Sequence, residues 1–204
     1  MMARLAVPKT PSRPSPIAFM NDAGNILRNL RRWLLANRPA HPDDVLVEEL
    51  CFLDKKNRAD LVHANGSLSA FEIKSAADSL VRWHDQMDAY LRVFDEVWLC
   101  FHAKHTAKAL ATTPRPVGLI VVDDLGGLAM VRAAGQNTAV DPYHLSGLLW
   151  RAEIDDMLQA LNLPKMRGER IKEARFRLAR SAPLETIQGK VLACLKARYV
   201  QLPS

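Results

Sequence analysis

The chain has 204 residues, 49% of them hydrophobic, and a formal net charge of +6, which is enough for one good core with room for an appended subdomain. No apolar run is long enough to cross a bilayer, and the N-terminus lacks the apolar stretch and small-residue cleavage site of a secretory signal, which argues against a membrane or secreted protein. Cys51, Cys100 and Cys194 are odd in number and widely spaced, as expected of reduced, mostly buried thiols in a cytoplasmic protein.

Residues 1–16 carry Pro8, Pro11, Pro14 and Pro16 beside Lys9 and Arg13 and are expected to form a flexible arm. A core is expected over 17–140 and a basic helical extension over 141–204. Ile17 to Asn37 has helical spacing, with Ile26, Leu27, Leu30, Trp33 and Leu34 apolar and Asn21 or Asp22 as its cap. Arg28, Arg31, Arg32 and Arg38 give it a basic side, and Pro39 and Pro42 end it. Val45 to Phe52 reads as a strand or as a helix-to-strand junction, with Glu48 and Glu49 beside its apolar run.

Asp60 to Ala64 is apolar and partly β-branched, Asn65-Gly66 is a strong turn signal, and Leu68 to Lys74 alternates. Phe71 and Ile73 fall on one face and Glu72 and Lys74 on the other. The loop length decides where Asp60 points. Two residues would pair it with Phe71; three, with Gly66 in the left-handed region, pair it with Glu72. The three-residue loop is the expectation here, because it places two carboxylates and an amine together. Such a set suits a hard cation, Mg²⁺ or Mn²⁺, held by Asp60 and Glu72 with Glu49 as a third ligand and Glu48 as its rival. Lys74 would then stabilise hydroxide or the charge developing on a phosphoryl group.

Ala76 to Phe94 reads as a helix starting directly after the lysine strand. Leu80, Trp83, Met87, Leu91 and Phe94 form its apolar stripe, and Arg82, Gln86 and Tyr90 lie beside it. Gln86 is a candidate for orienting a water or phosphate, Tyr90 for bonding the backbone and Arg82 for pairing with a phosphate. Val97 to Phe101 reads as a buried strand. A short helix over Ala103 to Ala111 follows, broken by Pro114 and Pro116. Val117–Val122 and Leu128–Ala133 form a closing hairpin around Asp123-Asp124 and Gly126-Gly127. Three helices follow: Leu145–Leu161, Gly168–Arg180 and one opened by Pro183 that runs to about Tyr199. From Ala160 on, ten Lys or Arg oppose three Glu, a net of +7 against −1 for the rest. This asymmetry points to an anionic partner, with Arg167, Arg170, Arg175, Arg177 and Arg180 as candidate phosphate contacts. The six histidines are scattered; His102 and His105 lack a third zinc ligand at the usual spacing and are expected at the surface or in caps. No Gly-rich phosphate loop is present.

Asp60…Glu72-Ile73-Lys74 resembles the signature of the PD-(D/E)xK nuclease superfamily, and Gln86-Met87-Asp88-Ala89-Tyr90 the Q-x-x-x-Y element of its RecB-like and lambda-exonuclease-like branches. The wider pattern takes in Val47–Leu50, Arg58–Asp60, Phe71–Ser75, Asp78–Arg82, Val93–Trp98 and Leu148–Arg151. It is similar to a family of small bacterial proteins within that superfamily, often linked to phages or mobile elements. The resemblance spans about residues 40–155. It implies an α/β fold with a mixed central sheet flanked by helices, Mg²⁺ dependence and DNA cleavage. It assigns metal binding to Asp60, Glu72 and Glu49 and the catalytic lysine to Lys74. Ala59 stands where the motif has proline. A nuclease is the expected function. A catalytically inactive DNA- or protein-binding module on the same scaffold is the alternative, and a regulatory or anti-defence partner from a mobile element is a third.

Overall fold

The computed structural model describes residues 22–38 and 41–199. The expected arm, the cap at Asn21 and the stop at Pro39 lie outside them. Among the described residues, six strands form one sheet in sequence order: β1 (Val45–Phe52), β2 (Asn57–Ala64), β3 (Leu68–Lys74), β4 (Glu96–His102), β5 (Gly118–Val122) and β6 (Leu128–Arg132). The tight turns give antiparallel pairs β1/β2, β2/β3 and β5/β6, whereas β3/β4 and β4/β5, joined through helices, run parallel. The architecture is α/β with a mixed sheet and a C-terminal helical region.

Helix α1 (Ala23–Asn37) starts at Asp22, whose carboxylate accepts the Asn25 N–H at 2.7 Å. It lays Ile26, Leu30 and Leu34 on Leu61, Phe71, Ile73, Trp98, Cys100, Ile120 and Val122, one face of the sheet. The other face carries Val62, Ala70, Leu99 and Leu119 and is covered by α2 (Trp83–Leu91), α3 (Thr106–Thr112) and the C-terminal helices. Covered on both faces, β3 has no exposed residue.

Helix α2 begins at Trp83, not directly after β3 as expected. Asp78 accepts bonds from the Ser75 amide (2.8 Å) and hydroxyl (2.6 Å), and this turn holds the chain out of the helical path. The helix expected over Leu145–Leu161 is broken too: α4 (Pro142–Leu145), a 3₁₀ turn (Ser146–Leu148), then α5 (Arg151–Ala160), whose Glu153 accepts the Trp150 N–H at 2.6 Å. The break carries Gly147, where an added Cβ would stand 2.7 Å from the Arg175 guanidinium. Helices α6 (Ile171–Ser181) and α7 (Leu184–Arg198, after Pro183) fall close to expectation. Leu148, Ile154, Leu178, Ile187 and Val191 join the same hydrophobic cluster as Val62 and Leu99, so the core runs unbroken past residue 141. No described helix is long and apolar enough to cross a membrane.

Candidate functional site

Ala64 pairs with Leu68 and Leu61 with Phe71, so the β2–β3 loop is the three-residue Asn65-Gly66-Ser67, with Gly66 at φ 103°. Continuing that register by one position sets Asp60 opposite Glu72. The ladder opens there, and the Asp60 carboxylate instead accepts the Ile73 N–H at 2.7 Å. Asp60, Glu72, Gln86 and Tyr90 line one cleft of about 300 Å³, with Lys56, Asn57, Arg58 and Arg82 at its rim.

A second irregularity shapes the cleft. In β1, Val45 and Val47 share a core face with Leu50 and Phe52, so the alternation slips by one across Glu49. In β2 it slips between Ala59 and Val62, across Asp60. The two breaks face each other in the β1/β2 register, and Glu49 sits at φ 57°, in the left-handed region that disfavours any residue with a Cβ. Glu48 and Glu49 are both exposed as a result, and they part company: Glu48 pairs with Arg31 at 2.8 Å, Glu49 with Arg58. Of the two, Glu49 is the one whose charge bears on Asp60.

Glu72 is buried, 3% exposed, and held from every side. Its Oε1 accepts from Lys74 Nζ (2.6 Å) and Gln86 Nε2 (2.7 Å), and its Oε2 from the Tyr90 hydroxyl (2.6 Å). Lys74 also donates to Gln86 Oε1 at 2.9 Å, so the Gln86 amide ties amine and carboxylate together. Tyr90 therefore bonds the Glu72 carboxylate as its main partner, rather than the backbone alone. Burial, then the Glu72 charge, push the Tyr90 hydroxyl well above its usual range, so it is a fixed donor. Asp60 is pushed up to about 6, chiefly by burial and next by Glu72, against the pull of the Ile73 N–H and of Lys74.

The cleft suits a hard cation in its chemistry, since the Glu72 charge helps raise the proton affinity of Asp60 and a divalent ion would relieve this. The Glu72 oxygen facing Tyr90 keeps a lone-pair direction after accepting that bond. No three His, Cys, Asp or Glu side chains among the described residues stand together as a ready-made metal set; Glu49 would have to leave Arg58 to complete one.

The C-terminal arginines divide. Arg167, Arg170 and Arg180 are exposed. Arg175 and Arg177 are not free for phosphate, contrary to expectation, because folding uses them internally. Arg175, 3% exposed, bonds Asp54 at 2.6 Å and the Tyr143 carbonyl at 3.0 Å and lies over the Tyr143 ring. Arg177 grips Glu169 at 2.8 Å and the Leu163 and Pro164 carbonyls. Sequence reading missed Arg175 as a structural residue; its place in the apolar stripe with Ala174 and Leu178 was the available signal. His102 and His105 are buried, not at the surface; His102 serves as a cap, as the other expectation had it, its ring accepting the Lys104 N–H and contacting Asp124 at 3.0 Å, and His105 meets the Ser75 carbonyl at 3.1 Å.

Fold and site together define an α/β protein with a buried acid–amine cluster where two antiparallel strands open beside a helix. Residues 26–203 match the family of bacteriophage P4 protein cII, and the chain belongs to that family. It is 26% identical over 160 residues to protein cII of Enterobacteria phage P4. That alignment covers 77% of this chain and 60% of the phage protein's length. A solved protein of unknown function from Silicibacter pomeroyi is similar at 23% identity and a TM-score of 0.43, over 72% of this chain and 93% of that one.

Proposed function

We propose that the protein is a Mg²⁺-dependent nuclease of the PD-(D/E)xK type that hydrolyses DNA phosphodiester bonds in the cytoplasm, Mn²⁺ serving as a substitute ion. The convergence of Asp60, Glu72, Gln86 and Tyr90 on one cleft, with the Lys74 amine bonded to Glu72 and Gln86, carries this reading. Asp60 and Glu72 would hold the ion, with Glu49 as the third carboxylate once it leaves Arg58. Bound there, a divalent ion supplies a water of lowered pKa and polarises a phosphoryl oxygen. Lys74 places a positive charge beside the reacting group, where it stabilises hydroxide and the charge developing on phosphorus. Gln86 and Tyr90 hold the Lys74 amine and the Glu72 carboxylate in place, which removes reorganisation from the reaction. Arg82, exposed at the rim, pairs with a substrate phosphate.

The test is cleavage of linear, circular, single-stranded and branched DNA by the purified full chain with Mg²⁺ or Mn²⁺ and with EDTA. Glu72→Ala and Lys74→Ala should each lower the rate by about a hundred- to a thousandfold, given what preorganised charge contributes. Wild-type rates in either variant would sink the mechanism. A second reading, an inactive binding module, draws on one feature: Lys74 matches Glu72 and Arg58 matches Glu49, so those two carboxylates are compensated without an ion. It predicts salt-sensitive DNA binding and no hydrolysis with any divalent ion.

A further inference from the structure

A second concavity among the described residues is larger than the acidic cleft. It is a shallow groove of about 630 Å³ along α6. Phe176 and Met166, each 55% exposed, line it, and Ile171 is exposed on the same helix. Exposed cations surround these apolar groups: Lys172 and Arg180 line the groove, Arg170 precedes α6 and Arg167 lies just before it. The Arg180 guanidinium sits 5.5 Å from the centre of the Phe176 ring. Two acids line the groove: Glu169 is buried under Arg151 and Arg177, and Glu173, exposed, accepts the Arg170 N–H at 2.8 Å, so the cations outnumber the exposed acid.

The β1–β2 turn links the groove to the cleft. Lys172 pairs with Asp54 at 3.4 Å, and Asp54 belongs to the β1–β2 turn that carries Lys56 to the cleft rim. The partner must therefore be a polyanion that also presents flat apolar faces. A duplex hides its base faces in the stack and offers phosphates and base edges, not flat faces. An unpaired strand offers both phosphates and bases, and aromatic rings among cations are the usual platform for it.

We propose that the α6 groove binds a single strand of nucleic acid, its bases stacking at Phe176 and Arg180 and its backbone running past Lys172 toward the acidic cleft. The substrate class is thus DNA with an unpaired segment, an end, flap or gap. The direction of the strand rests on the nuclease reading; the binding itself does not.

The experiment is fluorescence anisotropy of the full chain in EDTA, where no ion-dependent cleavage occurs, with a labelled oligothymidylate and a blunt duplex of equal length. The single strand should bind at least about tenfold more tightly, and Phe176→Ala should weaken it about five- to a hundredfold while Phe176→Trp retains it. Duplex affinity should stay unchanged in Phe176→Ala. Equal affinity for the two DNAs, or no loss in Phe176→Ala, overturns the proposal. Displacement by polyglutamate as efficient as by oligothymidylate also overturns it and marks an acidic protein as the occupant. Glu72→Gln should keep single-strand binding. A wild-type protein that cuts DNA with Mg²⁺ yet prefers duplex in EDTA sinks this inference and leaves the nuclease standing.

Discussion

Asp60 is the residue at which the cleft's electrostatics can be read from outside. Its carboxyl titrates at about 6 in the fold against 3.8 in a free chain. The folded state therefore favours the protonated form, and the metal-free protein loses stability as pH rises from about 4 through about 6. Asp60→Asn keeps an oxygen for the Ile73 N–H and removes the charge. It should raise stability above pH 7 without divalent ions by about 1–3 kcal/mol, a gain that vanishes below about pH 4. Urea melts of both proteins across that range check it, and a pH-independent difference would refute the titration at this site. The same variant should lose cleavage, so stability and activity would move in opposite directions. Much of this site was legible in sequence. The period-two alternation of Phe71-Glu72-Ile73-Lys74 indicated a shared face; the turn left two loop lengths open, and the three-residue one, expected because it gathers the carboxylates, is the one observed. The opening of the ladder at Asp60 was not legible, because it depends on Glu49 adopting a left-handed conformation for which no residue type in β1 gives a signal.

At the scale of elements, two close approaches govern how the sheet and helices hold the cleft. Gly118 on β5 is paired with Trp98 on β4, and an added Cβ would stand 2.3 Å from the indole. That indole stacks on Phe71 at 5.9 Å, with the Arg38 guanidinium 5.2 Å from its ring. Gly118→Ala should cost about 1–3 kcal/mol by overpacking, visible as a lower urea midpoint. The second is the β1–β2 turn, where Leu53, Asp54 and Lys55 all have positive φ and Arg175 anchors Asp54 from α6. Arg175→Met should destabilise the fold by at least about 2 kcal/mol, because it leaves Asp54 with Lys172 alone and removes the stack on Tyr143. Asp54→Asn, which keeps an acceptor and the stack on Tyr143, should cost less; equal losses would show that the ion pair alone carries the effect. Such long-range partners explain why element boundaries near α2 and α5 escaped sequence reading. Helical periodicity continued through Ser75–Arg82 and Leu145–Trp150, but side-chain bonds to Asp78 and the approach of Arg175 to Gly147 overrode it.

For the whole molecule, the basic excess of the C-terminal third is smaller at the surface than in the sequence. Arg175, Arg177, Lys196 and Arg198 are matched to Asp54, Glu169, Asp43 with Asp44, and Glu153. Arg167, Arg170 and Arg180 remain exposed, so a modest salt dependence is expected. Replacing Arg170 and Arg180 together by Gln should lower the slope of log affinity for DNA against log salt by about 1–2. A slope unchanged by that pair would place the contact surface elsewhere. The count of charges was readable from sequence, whereas their distribution between surface and interior was not, because Asp43, Asp44 and Asp54 lie more than a hundred positions from their partners.

The anchoring of the β1–β2 turn by Arg175 has a genetic corollary. A crossover that joined the first 140 residues of one family member to the last third of another would part Asp54 from its guanidinium and the sheet from the helices that seal it. Recombination between members of the family should therefore transmit this stretch whole, and chimaeras spliced near residue 141 should express poorly unless both halves of that pairing are inherited together.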